Sequence, residues 1–197
     1  LEALAAGGHT IVAGGTDFYP ARVGRNVDED ILDVTAISGL RGIELRSDPS
    51  SDPSSDPSSD PMGDHYYIGA AATWTDLIRA DLPDWFAAMK QAAREVGGVQ
   101  IQNAGTIVGN VCNASPAADG MPGLVALDAS VVLGSVSGER NVPIAEFVQG
   151  NRKTARKPDE VVLGLRIPVC GTDASSAFLK LGARKYLVIS IVMVSAV

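Results

Sequence analysis

Two periods alternate along the chain. Near the start, Thr10-Ile11-Val12-Ala13 is a short apolar run, and Ile31-Leu32-Asp33-Val34 is a second, with a helical turn expected between Phe18 and Arg25. Strand, crossover and strand predict a small parallel βαβ unit. Ahead of it, Leu1, Leu4 and Ala5 share one side of a helix that Gly7-Gly8 would stop, so the chain is expected to open mid-element. Gly42 to Leu45 and Tyr66 to Gly69 read as the two strands of a hairpin. Between them, from Ser47 to Pro61, a Ser-Asp-Pro-Ser unit recurs, and its proline and charge predict a disordered insertion in the turn or an engineered linker.

The helical period takes over after Gly69. Thr73 with Asp76 has the form of a capping box, launching a helix through Ile78 and Arg79. Pro83 then opens a longer helix in which Trp85, Met89, Ala92, Ala93 and Val96 recur at spacings of three and four before Gly97-Gly98. An aromatic and methionine stripe of that period faces a core, so neither Trp85 nor Met89 is a ligand candidate. Pro122 to Ala129 predicts another helix. Val131 to Leu133 and Val142 to Ile144 predict strands about a turn at Gly138-Glu139, and Val161 to Ile167 alternates as a strand that Pro168 ends. Cys170 to Ser176 then reads as a linker, and Ala177 to Val197 as the opening strands of a further, incomplete domain. The expected fold class is α+β, with subdomains at 1–64 and 65–168 and the start of a third unit at 169–197.

Two glycine-bearing segments interrupt these patterns. The stretch from Gln102 to Asp119 reads as a ligand loop, because Asn110, Asn113, Ser115 and Asp119 crowd donors and acceptors around Gly105 and Gly109. The other is Gly14-Gly15-Thr16-Asp17, where small residues leave amide N–H groups bare directly after a strand. Together they suggest one long, phosphate-bearing ligand. Neither segment spells G-x-G-x-x-G, and Gly14-Gly15-Thr16 lacks the lysine of a phosphate-binding P-loop. Hydrogen bonds to a charged group contribute about 1.5–3 kcal/mol each, so three or four N–H groups from Gly14 to Asp17 supply roughly 5–12 kcal/mol, a range that brackets micromolar binding at about 8 kcal/mol. The Asp17 carboxylate would repel phosphate, so its side chain is expected to cap the following turn.

Composition narrows the classes. The 197 residues carry a formal charge of −7, and no Lys/Arg-rich run exists to neutralise a nucleic acid. The densest basic cluster, Arg152-Lys153 with Arg156-Lys157, reads as a solvated turn. The longest apolar run, Tyr186 to Val197, is too short for a membrane helix and is broken by Ser190 and Ser195. Without a signal-peptide pattern, the expected setting is cytoplasmic. Two cysteines, Cys112 and Cys170, cannot ligate an iron–sulfur cluster alone, and His9 and His65 have no partners at metal spacing, so no metal site is expected. Cys112 reads as a small apolar filler rather than a redox thiol.

Ala13-Gly14-Gly15-Thr16-Asp17, taken with Thr106-Ile107-Val108-Gly109-Asn110 and Ala114-Ser115-Pro116-Ala117-Ala118-Asp119, resembles the FAD-binding medium subunit of the molybdenum hydroxylases, the xanthine and carbon monoxide dehydrogenase type. The resemblance runs over nearly the whole chain, through Ile68 to Thr73, Pro122 to Asp128, Phe147 with Gly150, and Lys180 to Arg184. It implies a PCMH-type fold of two small α/β subdomains holding FAD, with Ala13, Gly14, Gly15, Thr16, Asp17, Thr106, Gly109, Asn110, Asn113, Ser115 and Asp119 in the site. Lys180 matches a lysine near the flavin ring, against the plainer reading of a solvent lysine at a strand end. The position of Val108 is usually glycine in that family, and an acidic residue of many members is replaced around Leu187-Val188. The resemblance further implies a molybdopterin-containing large subunit, a [2Fe-2S] small subunit and electron transfer to NAD⁺, quinone or oxygen. Two other readings stay open from the residues alone: a non-catalytic nucleotide-binding or assembly module, and a stand-alone flavin oxidoreductase.

Overall fold

The structure, a computed structural model, describes residues 1–5, 7–47 and 63–197, so all of the repeat except Ser47 lies outside the described residues. A short helix, α1 (Glu2–Ala5), leads through left-handed Gly7 and Gly8 into β1 (His9–Val12), which runs parallel to β2 (Asp30–Asp33). The crossover between them holds the expected turn, a 3-10 helix at Pro20–Arg22. Val12 and Val34 bury their side chains, and the Val34 N–H donates to the Val12 carbonyl at 3.0 Å, so this two-stranded unit closes on itself at the strand ends.

The larger body is a five-stranded antiparallel sheet in the order β3 (Ile43–Arg46), β4 (His65–Gly69), β9 (Val161–Pro168), β5 (Ser130–Ser135), β6 (Gly138–Pro143). Its middle strand, β9, departs from the half-buried alternation expected of it: Val161, Val162, Leu165 and Ile167 are all buried. Both faces are covered because Gly164 lets the ring of Tyr67 lie flat on the strand, where an added Cβ would come within 2.5 Å of Tyr67 Cζ, and the Arg46 guanidinium stacks 3.6 Å from the Tyr67 ring centroid.

Helices pack the other side. Thr73 caps α2 (Trp74–Arg79) through the reciprocal box with Asp76, its side chain accepting from the Asp76 N–H and its own N–H donating back to the carboxylate. The Pro83 helix starts as a 3-10 turn, Asp84–Phe86, and continues as α3 (Ala87–Glu95). Trp85 and Met89 are core residues as expected, in one cluster with Trp74, Leu77, Phe86 and Phe147. α6 (Met121–Ala126), α7 (Ile144–Phe147) and a small hairpin, β7 (Val148–Gly150) with β8 (Lys153–Thr154), complete this body.

After 170–176, β10 (Ala177–Gly182) and β11 (Ser190–Ala196) form an antiparallel hairpin. It rests on α3: Phe178 is buried against Ala88 and Ala92, and the Phe178 N–H donates to Gln91 Oε1 at 2.7 Å. Burial of one such aromatic contributes about 1.5–3 kcal/mol, enough to fix the hairpin's position.

Candidate functional site

The stretch expected to be a ligand loop is mostly helical. α4 (Val99–Ala104) and α5 (Ile107–Asn113) meet at Gly105-Thr106, and Ala114 ends α5 in the left-handed region at φ 46°. Thr106 is the cap: its hydroxyl accepts from the Gly109 N–H at 2.9 Å, while Ile107, Val108 and Val111 bury the inner side of α5. Val108 is thus an ordinary core residue, and valine there is compatible with a helix where a glycine turn would not be. Gly109 serves the cap, since a Cβ on it would come within 2.6 Å of Thr106 Oγ1. The Ala72 carbonyl takes the Ile107 N–H at 3.1 Å, and Thr73 bridges Thr106, so α5 is pinned to the start of α2.

The first glycine segment lies directly against this junction. A Cβ on Gly14 would fall inside the Ala104 carbonyl, and one on Gly105 would meet Thr16 Oγ1 at 3.3 Å, so backbone touches backbone only because both residues are glycine. Gly15 turns the chain at φ 66°. Among the described residues, no hydrogen bond is donated by the N–H groups of Gly14, Gly15, Thr16 or Asp17. Asp17 does not cap with its side chain as expected. The 3-10 turn has Tyr19 at its cap position without a side-chain bond, and what Asp17 contributes is its carbonyl, which accepts from the Ala21 N–H at 3.2 Å.

Between these walls opens a cleft of about 500 Å³. It is lined by Ala13, Gly14, Gly15, Thr16 and Asp17 on one side and by Thr106, Gly109, Asn110 and Asn113 on the other. Asn110 Oδ1 is fully buried and, among the described residues, accepts no hydrogen bond. Gly120 leaves it room, since a Cβ there would approach Oδ1 to 3.2 Å.

Three expected site residues do not line the cleft. Ser115 closes a local turn, its hydroxyl accepting from the Ala117 N–H at 3.3 Å. Lys180 and Asp119 face each other instead, with Nζ donating to Oδ2 at 3.0 Å. Both side chains are largely withdrawn from solvent, 5% and 14% exposed, so Lys180 is not the solvent lysine of the plainer reading. Desolvation outweighs the Lys180 hydrogen bond and pushes the Asp119 carboxyl above its usual range.

Other residues line the cleft that the sequence does not place in the site. Trp74, Ile101, Val161 and Val162 form apolar parts of the wall, and Arg22, Arg152 and Arg156 reach it. Arg152, Lys153 and Lys157 are exposed, as a solvated turn would have them, and Arg152 and Arg156 border the cleft as well. Arg152 sits at the tip of the β7–β8 hairpin at φ 58°, its N–H donates to the Ala114 carbonyl at 2.9 Å, and its guanidinium donates to Asn113 Oδ1. Cys112 opens onto the cleft and is exposed there. Among the described residues there is no cluster of three His, Cys, Asp or Glu able to hold a metal, and no helix is long and apolar enough to cross a membrane.

Residues 1–170 match the family model described as the FAD binding domain in molybdopterin dehydrogenase. The nicotinate dehydrogenase FAD-subunit of Eubacterium barkeri is 32% identical over 191 residues, covering 92% of this chain and 58% of that protein. A putative xanthine dehydrogenase FAD-binding subunit of Escherichia coli is 31% identical over 184 residues, covering 91% and 58%. A solved structure of carbon monoxide dehydrogenase from Hydrogenophaga pseudoflava superposes with a TM-score of 0.78 at 26% identity, over 96% of this chain and 61% of that one. The chain thus spans about three-fifths of the length of these relatives. It belongs to this family of FAD-binding domains, with the mixed α and β fold of the carbon monoxide dehydrogenase chain and FAD as its cofactor.

Proposed function

We propose that the chain is the flavin module of a molybdenum hydroxylase, relaying electrons from iron–sulfur clusters of a partner to NAD⁺, quinone or oxygen. The observation that carries this reading is the pairing of two features in one cleft: a run of four unspent amides at Gly14 to Asp17, and the orphaned, buried Oδ1 of Asn110 across from it. The amides suit a diphosphate, because an anion satisfies several N–H groups at once without a cation beneath it. The Asn110 acceptor suits an N–H or O–H of the ligand, since an unpaired buried acceptor costs about 1–3 kcal/mol until a donor arrives. The cleft volume falls within the range of ordinary cofactor sites. We assign Ala13, Gly14, Gly15, Thr16, Asp17, Thr106, Gly109, Asn110 and Asn113 to direct cofactor contact, and Ser115, Asp119 and Lys180 to its support.

When bound, FAD supplies the exchange between one-electron and two-electron chemistry. The protein's own residues bind and orient it: Trp74, Val161 and Val162 exclude water from its apolar parts, and the Thr106 cap holds α5 so that Asn110 points inward. No lining group offers an activated nucleophile, which suits a relay whose substrate is oxidised elsewhere, on a molybdopterin-containing large subunit fed through a [2Fe-2S] small subunit. The subdomain division at 1–64, 65–168 and 169–197 and a cytoplasmic setting belong to the same reading, with β3 crossing the first boundary to edge the sheet.

Two measurements test it. Titration of the chain with FAD is expected to give a flavin spectrum near one equivalent, and a colourless chain that ignores FAD would remove the reading. Anaerobically, the loaded chain is expected to resist bleaching by purines, aldehydes or carbon monoxide unless a partner carrying iron–sulfur clusters is added; bleaching by one of them alone would favour a self-sufficient oxidoreductase.

A further inference from the structure

The cleft must hold a diphosphate in a chain whose formal charge is −7, so long-range attraction opposes the ligand and any local cation weighs heavily. Three arginines line the cleft. They are not equivalent. Arg22 is neutralised by Glu29, with Nη2 at 2.8 and 2.9 Å from the two carboxylate oxygens and Nε at 3.2 Å, and its guanidinium also stacks on Phe18. Arg152 and Arg156 have no carboxylate partner among the described residues.

What holds those two side chains is backbone and amide oxygen. Arg156 Nη1 donates to the carbonyls of Lys157 at 3.0 Å and Glu160 at 2.7 Å, and Arg152 Nη1 donates to Asn113. In each case a single nitrogen carries all the bonds. The Nε and Nη2 groups of both make no hydrogen bond among the described residues, so each guanidinium is fixed in place by one corner and keeps its charge and two donor groups for something else. Asp17, on the opposite wall, is the only carboxylate among the described residues that lines the same cleft. A fixed guanidinium with a free edge matches a phosphate's pair of oxygens, and being already immobilised it loses little entropy on binding.

We infer that Arg152 and Arg156 are the cationic contacts for the ligand's diphosphate, completing the amide cradle of Gly14 to Asp17 from the opposite side of the cleft. The inference rests on the FAD reading above and adds to it a charge-reading element from the β7–β8 hairpin. It also gives the strained turn at Arg152 a purpose, since the left-handed residue aims the guanidinium back at Asn113 and the cleft.

The test uses the whole chain and two ligands, FAD and riboflavin, which lacks phosphate. In Arg152→Gln and Arg156→Gln, FAD affinity is expected to fall tenfold or more, riboflavin affinity to change less than twofold, and the loss of FAD affinity between low and high salt to become shallower than in the parent. Arg152→Lys and Arg156→Lys, which keep the charge, are expected to recover part of the affinity and so separate loss of charge from loss of fold. Unchanged FAD affinity in both glutamine variants, or equal loss of FAD and riboflavin, overturns the inference while leaving the FAD reading intact. Failure of the parent chain to bind FAD removes both together.

Discussion

Lys180 on β10 and Asp119 in the turn before α6 form a buried ion pair, Nζ lying 2.9 Å from Oδ1 and donating to Oδ2 at 3.0 Å. The pair joins the C-terminal hairpin to the turn that ends in Gly120, and Gly120 in turn stands against Asn110 Oδ1 and the Trp74 ring. Both members come from the segments that the sequence marks as a site. Their geometry gives them each other rather than the cleft, so they act on it through position.

Breaking this pair is expected to cost more than replacing it. Lys180→Met leaves the Asp119 carboxylate buried and unpaired, a loss of about 3 kcal/mol, whereas the double variant Lys180→Met with Asp119→Leu is expected to return to within about 1 kcal/mol of the parent. Denaturant unfolding of the two singles and the double closes the cycle; additive losses would show that the side chains do not depend on each other.

Gly14→Ala is expected to reduce FAD affinity at least tenfold and to lower stability by about 1–3 kcal/mol, because the added methyl has no place beside the Ala104 carbonyl and must push the two walls of the cleft apart. Flavin titration and thermal unfolding check both halves. A variant that binds FAD like the parent would mean that the walls are free to separate without harm.

Acid stability is expected to depend on Glu160. Its side chain is buried, Arg140 donates to it at 2.7 and 2.9 Å and the Lys157 N–H at 2.7 Å, and the Arg140 hydrogen bond above all lowers its pKa from 4.5 to about 2. A folded value below the unfolded one means that the stabilisation is full above about pH 4.5 and fades as pH falls toward 2. With Arg140 partly exposed and screened, the contribution is on the order of 2 kcal/mol. Glu160→Gln should lose that amount at neutral pH and show a flatter stability curve between pH 5 and about 2; a parallel curve in urea unfolding would assign the acid dependence elsewhere.

Local chemistry made much of the fold readable. The Thr73–Asp76 box, the short strands flanked by glycine and the Trp85 to Val96 stripe each need only near neighbours, and each forms where expected. The stretch from Gln102 to Asp119 reads as a loop because its glycines and asparagines weigh against a helix, whereas Thr106 followed by apolar 107, 108 and 111 is a cap and a buried side that tertiary packing rewards, so 107–113 is helical. The approach of Arg152 and Arg156 to the cleft had no local signal, since it depends on a hairpin turn docking on the Ala114 carbonyl some forty residues earlier in the chain. Lys180 was drawn toward the flavin by the family pattern alone. Its burial against Asp119 is a long-range contact of the same unreadable kind.

Asn110→Ala is expected to separate binding from stability. In the ligand-free chain, Asn110 Oδ1 is a buried acceptor without a partner among the described residues, so it is a cost that the fold carries rather than a gain. Removing the carboxamide should therefore leave the apo protein as stable as the parent or slightly more so, while a flavin donor that had met Oδ1 would go unpaired at about 1–3 kcal/mol, a five- to hundredfold drop in affinity. Those two changes have opposite signs, and a merely structural asparagine would lower stability and binding together. The measurement is thermal unfolding with and without saturating FAD: the ligand-induced rise in Tm should shrink while the apo Tm holds or climbs. An apo Tm that falls, or an FAD-induced rise equal to the parent's, would take Asn110 out of the site.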